Sequence, residues 1–129
     1  MFTIEQIKEA HSKVKTGADF PNYIQDLIIL GVKGYDTFVK DGHVEYYGVN
    51  NYSVTADEKY TEIKVADSPN KELFIEFLVK HQQGETDYLT FCNHSAQCGI
   101  AKWRVDIMEM TCTYFDKLEN EILIEKIPN

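Results

Sequence analysis

The order of start and stop signals constrains this fold more than any other feature, because that order occurs twice. Thr3 opens "IEQIKEAHSKVKT" with Gln6 three residues on, the spacing of a capping box. Ile4, Ile7, His11 and Val14 recur at helical spacing, and Gly17 is placed to end that helix. Asp19 caps a second helix with Pro21 in its first turn. Its apolar face is Tyr23, Ile24, Leu27, Ile28 and Leu30, and Gly31 stops it. The period then changes. "YDTFVKDGHVEYYG" sets Asp41-Gly42 between two β-rich runs, a hairpin signal. "YSVT" adds a strand, and "EIKVAD" a further short one. The signals then start again. Asn70 caps "KELFIEFLVKHQQ" up to Gly84, and Asp87 caps "YLTFCNHSAQC" up to Gly99. "AKWRVDI", "TCTYF" and "EILIE" read as strands, with a turn at "DKLEN".

The two halves also align residue by residue. At an offset of 67, Thr3 faces Asn70, Glu5 faces Glu72, Glu9 faces Glu76 and Gly17 faces Gly84. At 68, Asp19 faces Asp87, Tyr23 faces Phe91, Gly31 faces Gly99, Tyr35 faces Trp103, and Tyr46-Tyr47 faces Tyr114-Phe115. Caps and glycines mark helix ends, and the aromatics mark a helix–sheet core. The expected fold is α+β: two helix–helix–strand units, a tandem pseudo-repeat, with helices packed on antiparallel sheet. Residues 1–129 then form one domain, with an internal repeat of about 1–66 and 67–129.

Composition narrows the function classes. A chain of 129 residues with 43% apolar content can bury a core. A net charge of −8 repels phosphate backbones and anionic lipid, and no Lys/Arg cluster offsets it, so neither nucleic acid nor membrane is the expected partner. The start, "MFTIEQIKEAH", lacks the pattern of a signal peptide, and the longest apolar run, "LIIL", is far below a membrane span. Three cysteines, an odd number, suit reduced thiols and a cytoplasmic location better than a disulfide framework.

The stretches "HSKVKTGADFPNYIQDLIILGV", "VEYYGVNNY", "HQQG" with "TDY" after Glu85, "TFC", "KW" with "VD" after Arg104, and "MTCTYFD" resemble the YdfO/YbcV-like family. These are small bacterial and prophage proteins, sometimes labelled phage envelope proteins. The resemblance runs nearly the full length. It implies an α+β domain. It implies no activity and no catalytic residues, because that family is uncharacterised.

The residues with chemistry are few. Cys92, His94 and Cys98 suggest a metal site, with Cys112 and His43 as further ligands. On one helix, however, only His94 and Cys98 share a face, and paired C-x₂₋₄-C ligands are absent. The repeat gives another reading. Cys92, Cys98 and Cys112 fall opposite Ile24, Leu30 and Val44, so they are expected as core residues, and no metal is expected. As a nucleophile, Cys92 near a helix start is the best placed thiol. His43, Glu45 and Tyr47, at i, i+2 and i+4, share one strand face and form the most polar cluster. His11 is expected to be partly buried, His81 to sit as a cation at a helix C-terminus, and His94, opposite Asp26, to face solvent. Ser95-Ala96 stand where the first half has Leu27-Ile28, so closer packing or a cavity is expected there, with Ser95 beside it. No GxGxxG, P-loop, HExxH or GxSxG pattern indicates a cofactor or a catalytic class. The expected function is a non-enzymatic binding or regulatory protein for a small molecule or another protein. The alternative is a small enzyme using His43, Glu45 and Tyr47, or Cys92.

Overall fold

The computed structural model describes residues 1–15 and 19–127. The chain runs α1 (Ile4–Ser12), α2 (Phe20–Leu30), β1 (Gly34–Phe38), β2 (Val44–Tyr47), β3 (Ser53–Ala56), α3 (Lys71–Gln82), α4 (Tyr88–Gln97), β4 (Lys102–Asp106), β5 (Thr111–Phe115) and β6 (Glu121–Lys126). It is an α+β fold. The six strands form one antiparallel sheet in the order β3-β2-β1-β4-β5-β6.

Local chemistry sets most of the boundaries. Thr3 accepts from the Gln6 N–H while the Gln6 side chain accepts from the Thr3 N–H, a closed capping box. Asn70 and Asp87 accept from Leu73 and Thr90 N–H groups at the starts of α3 and α4. Gly31 ends α2 in the left-handed region, at φ +94°. Four expectations are corrected. First, α1 stops at Ser12, where the Lys13 N–H donates to the Ala10 carbonyl and the Val14 N–H to that of His11; Gly17 lies outside the described residues. Second, Asp19 sits at the N-cap of α2 with helical backbone angles and makes no cap bond; its carboxylate accepts from the Lys15 N–H at 2.8 Å. Third, Ile28 is 44% exposed, because the apolar face assigned to α2 is wider than the arc the sheet covers. Fourth, residues 62–67 form no strand. The Ile63 N–H donates to the Lys40 carbonyl and the Ala66 N–H to the Ala96 carbonyl, so these groups serve tertiary contacts and not a ladder.

Period-two alternation divides the sheet into two faces. Tyr35 and Val39 on β1 and just beyond it, Val44 and Tyr46 on β2, and Trp103 and Val105 on β4 enter the core under the helices. Two apolar clusters result. One joins Ile7, Tyr23, Ile24 and Leu27 to Tyr35 and Tyr46. The other joins Phe74, Leu78, Phe91 and Cys92 to Trp103 and Tyr114. The intervening residues of the same strands, Asp36, Phe38, Glu45, Tyr47, Lys102, Arg104 and Phe115, point to the face without helices.

The small residues of α4 have a specific use. Ser95 and Ala96 are fully buried, and the connector at 65–70 lies against them, with the Asn70 N–H donating to the Cys98 carbonyl at 2.9 Å. Gly99, at φ +76°, completes this close approach: a Cβ there would stand 2.5 Å from the Ser68 carbonyl oxygen and 2.8 Å from the Pro69 Cα. Gly84 has a similar φ of +79° with open space around it. Gly84→Ala is therefore expected to cost about 1 kcal/mol of backbone strain. Gly99→Ala combines the same strain with a backbone clash and is expected to cost roughly 2–4 kcal/mol. Urea denaturation of the two variants checks this, and equal losses would contradict it.

Candidate functional site

The open face of the sheet gathers aromatic and charged side chains from four strands. At its centre, β1 and β4 set Asp36 directly beside Arg104. Arg104 Nε donates to Asp36 Oδ1 at 2.8 Å and its Nη2 to Oδ2 at 3.1 Å, a bidentate fork. The Asp36 side chain is 10% exposed and that of Arg104 43%. Solvent screening at Arg104 holds the net contribution of the pair to about 1 kcal/mol. Removing Arg104 alone would cost more, because it leaves a buried carboxylate without its cation. The Tyr47 hydroxyl also donates to Asp36 Oδ1, at 3.3 Å. Burial, then the nearby Asp36 charge, push the Tyr47 phenol up to about 12. Gly34 permits this geometry, since a Cβ there would meet the Tyr47 ring at 2.8 Å and the Val105 carbonyl at 2.7 Å.

Cations and rings alternate beside the pair. The Arg104 guanidinium lies 5.3 Å from the Phe115 ring centroid, and Lys102 Nζ lies 5.2 Å from the same ring and 6.0 Å from Phe38. Lys102 is also paired to Glu119 at 2.7 Å. Farther along, the His43 ring stacks on Phe38 at 4.3 Å with an interplanar angle of 4°. Its Nδ1 meets Asp41 Oδ1 at 2.5 Å, and that oxygen also accepts the His43 backbone N–H at 3.0 Å. Burial raises the Asp41 pKa, but these His43 hydrogen bonds and the charge of the imidazole outweigh it, and the carboxyl ends below its ordinary value. Nδ1 facing a carboxylate is the protonated nitrogen, so the lone pair of the neutral ring is on Nε2.

The expected site residues divide between opposite sides of the sheet. His43, Glu45 and Tyr47 stand together on the open face, with Glu45 exposed. His43 is largely covered, its side chain 21% exposed. Cys92 and Ser95 lie beneath the helices at 0% exposure. The Ser95 hydroxyl donates to the Phe91 carbonyl at 2.8 Å, so its hydrogen bond is spent within its own helix. Burial pushes the Cys92 thiol up, against hydrogen bonds from the Tyr60 and Tyr88 hydroxyls, and burial also raises Cys98. Cys112 is pushed up to about 12 by burial. This is the environment of a core thiol and disfavours a thiolate nucleophile. Among the described residues, no group of three or more His, Cys, Asp or Glu is placed to hold a metal ion. Two cavities, of about 140 and 230 Å³, are lined by residues of α1 and α2 such as Ala10, Lys13 and Asp26, and neither reaches His43, Tyr47 or Cys92.

Three histidines differ from expectation. His11, expected to be partly buried, is exposed on α1 with its ring edge-on to Tyr23 at 5.2 Å. His94 does not face solvent freely: its ring stacks on Phe77 at 3.8 Å, and its Nδ1 is buried with no hydrogen-bond partner. His81 is not favoured as a cation. Its ring stacks on Phe91 at 4.4 Å, and burial lowers its pKa below 6.5 despite the Thr86 carbonyl at 3.1 Å. Asp36, Phe38, Lys102 and Arg104 were not singled out from sequence, and Asp41 and Phe115 were read only as a turn residue and a core aromatic. One signal was available for the central pair: next to the aligned Tyr35 and Trp103, the same offset sets Asp36 opposite Arg104.

Two measurements follow. Because the folded pKa of His81 lies below its unfolded value of 6.5, the unfolded chain binds more protons in that window. The stability due to neutral His81 is present above pH 6.5 and is lost as pH falls from 6.5 through the lowered folded pKa. Denaturation midpoints across that range should show the loss, and His81→Gln should flatten it. In the native protein, Cys92 and Cys98 should react with a thiol probe about a hundredfold more slowly than after unfolding in urea. A fast native thiol that disappears in Cys92→Ala would contradict the burial argument.

The family described as "Protein of unknown function (DUF1398)" matches residues 8–126, and the chain belongs to that family. No curated protein matches the chain.

Proposed function

We propose that this DUF1398 protein is a non-enzymatic binding protein that docks a protein partner on the open face of its sheet. The observation that carries this reading is the one-sided architecture. The four helices cover one face, and the other carries the half-buried rings of Phe38, His43 and Tyr47 with the exposed Glu45 and the 43% exposed Arg104, backed by the buried Phe115 and the largely covered Lys102. Aromatic rings interleaved with Arg are the residue types that anchor protein interfaces. Neither of the two cavities beside α1 and α2 lies on this face, and a broad sheet face fits a partner's surface better than a small molecule.

The finer parts of the reading have separate supports. The sequence resemblance to YdfO/YbcV-like proteins supports a prophage-related role. The odd cysteine count supports a cytoplasmic, reducing location; no helix among the described residues is long and apolar enough to cross a membrane. The recurrence of two helices followed by three strands supports a duplication of about residues 1–66 and 67–129 within one domain.

One observation favours a second reading, a small enzyme. The Asp41–His43 pair orients an imidazole with its Nε2 as acceptor, the arrangement of a general base. A hydrolytic turnover abolished by His43→Ala would favour it over binding.

The binding reading is tested by partner retention. Tyr47→Ala and Glu45→Lys are expected to weaken a co-purifying partner roughly tenfold. Ile29→Ala, on the helix side and 82% exposed, is expected to leave it unchanged. Equal retention by all three variants would overturn the assignment of the face.

A further inference from the structure

We infer that the β1–β4 seam is a subunit interface made internal: two ααβββ units meet across a two-fold axis through the Asp36–Arg104 pair, and that pair makes each unit accept its unlike partner. This rests on the two-unit reading above and goes beyond it.

The register of the seam carries the inference. Asp36 and Arg104 are equivalent positions, 68 residues apart, and are also direct partners in the ladder. Moving each residue to its equivalent returns the ladder to itself. Gly34↔Asp106 becomes Lys102↔Phe38, and Tyr35↔Val105 becomes Trp103↔Thr37. Asp36↔Arg104 alone maps onto itself. A contact in which residue i meets j while the equivalent of j meets the equivalent of i is isologous, the signature of a two-fold interface.

The surroundings obey the same operation. Gly34↔Tyr47 corresponds to Lys102↔Phe115, and Tyr35↔Tyr46 to Trp103↔Tyr114. Hydrogen bonds outside the regular ladders also recur. The Val39 N–H donates to Ala101 at 2.9 Å and the Ile107 N–H to Lys33 at 3.0 Å. The Val32 N–H donates to Leu27 and the Ile100 N–H to Ser95, each at 2.9 Å. The correspondence slips by one residue in β6, and the bulge between Tyr114 and Phe115 takes up that residue.

A position on the axis of two identical units must face its own copy. A carboxylate would meet a carboxylate, or a guanidinium a guanidinium, and both are repulsive at this range. The joined chain holds one of each and forms the bidentate pair. The flanking rings have diverged to match. Tyr47 and Phe115 are equivalent and differ by one hydroxyl. The hydroxyl is beside the carboxylate, to which it donates, and the bare ring is beside the cation.

The test turns the centre of the interface through half a revolution. Asp36→Arg/Arg104→Asp exchanges the charges, and adding Tyr47→Phe/Phe115→Tyr exchanges their flanking rings. Asp36→Arg or Arg104→Asp alone is expected to lower the melting temperature by roughly 5 °C or more. The charge exchange is expected to recover part of this loss, and the fourfold exchange to return within about 2 °C of the unmodified protein. If either single variant does not fold, the two exchanges still decide the matter. Tyr35→Trp/Trp103→Tyr, an exchange of equivalent core positions away from the axis pair, reads the two-unit arrangement separately. A fourfold variant no more stable than the charge exchange, with the core exchange tolerated, overturns the role of the axis pair and leaves the two units standing. Loss of folding in both overturns the two units as well.

Discussion

The β1–β4 ladder is the joint on which the rest of the structure depends. It lies at the middle of the sheet and ties the first three strands to the last three. Both strands serve both faces. Trp103 and Val105 go to the helices, one into each apolar cluster, while Lys102 and Arg104 go to the open side. A slip of β4 by one residue against β1 would place Arg104 under the helices and Trp103 in water, and would part Arg104 from Asp36. The fork between Asp36 and Arg104 therefore acts together with the aromatic core: each forms only in the register that the other requires.

The open face is polar in composition yet largely self-satisfied. Its cations each have a carboxylate and a ring, and Asp36 has both Arg104 and Tyr47. Such a face does not drive non-specific association as a bare apolar patch would. It can still contribute ordered aromatic surface to a partner, because rings already fixed by neighbouring charges lose little freedom on docking.

Much of the fold was legible in the sequence because the signals that set it are local. Capping residues, left-handed glycines and the Asp41-Gly42 turn act within a few positions of where they are written. They gave the hairpin, the later strands and three of the four helices within one or two residues, while α1 stops four residues before its expected end. The errors occurred where a distant group decided the outcome. Residues 62–67 have β-forming side chains, but their N–H groups find the carbonyls of Lys40 and Ala96. His81 stands where a helix dipole favours a cation, but the Phe91 ring covers it. The site was legible only in part for the same reason. Alternation along one strand was enough to group His43, Glu45 and Tyr47. Bringing Asp36 to Arg104 needed the pairing of strands far apart in the chain. Separating Cys92 from His43 needed to know which face the helices cover.

The connector between β3 and α3 is fourteen residues long (57–70), a length usually associated with a pliable tether. Here it is fastened at both ends. Lys59 and Tyr60 donate backbone N–H groups to the Asp41 carbonyl, and Ile63 to that of Lys40. Farther on, Ala66 and Asn70 bond to the end of α4. It acts as a strap and not a hinge, so the halves do not swing as separate lobes. A protease would find little slack there, because cleavage requires an extended backbone and these bonds hold it closed. The longest irregular stretch among the described residues is thus one of the places where the molecule is stitched together.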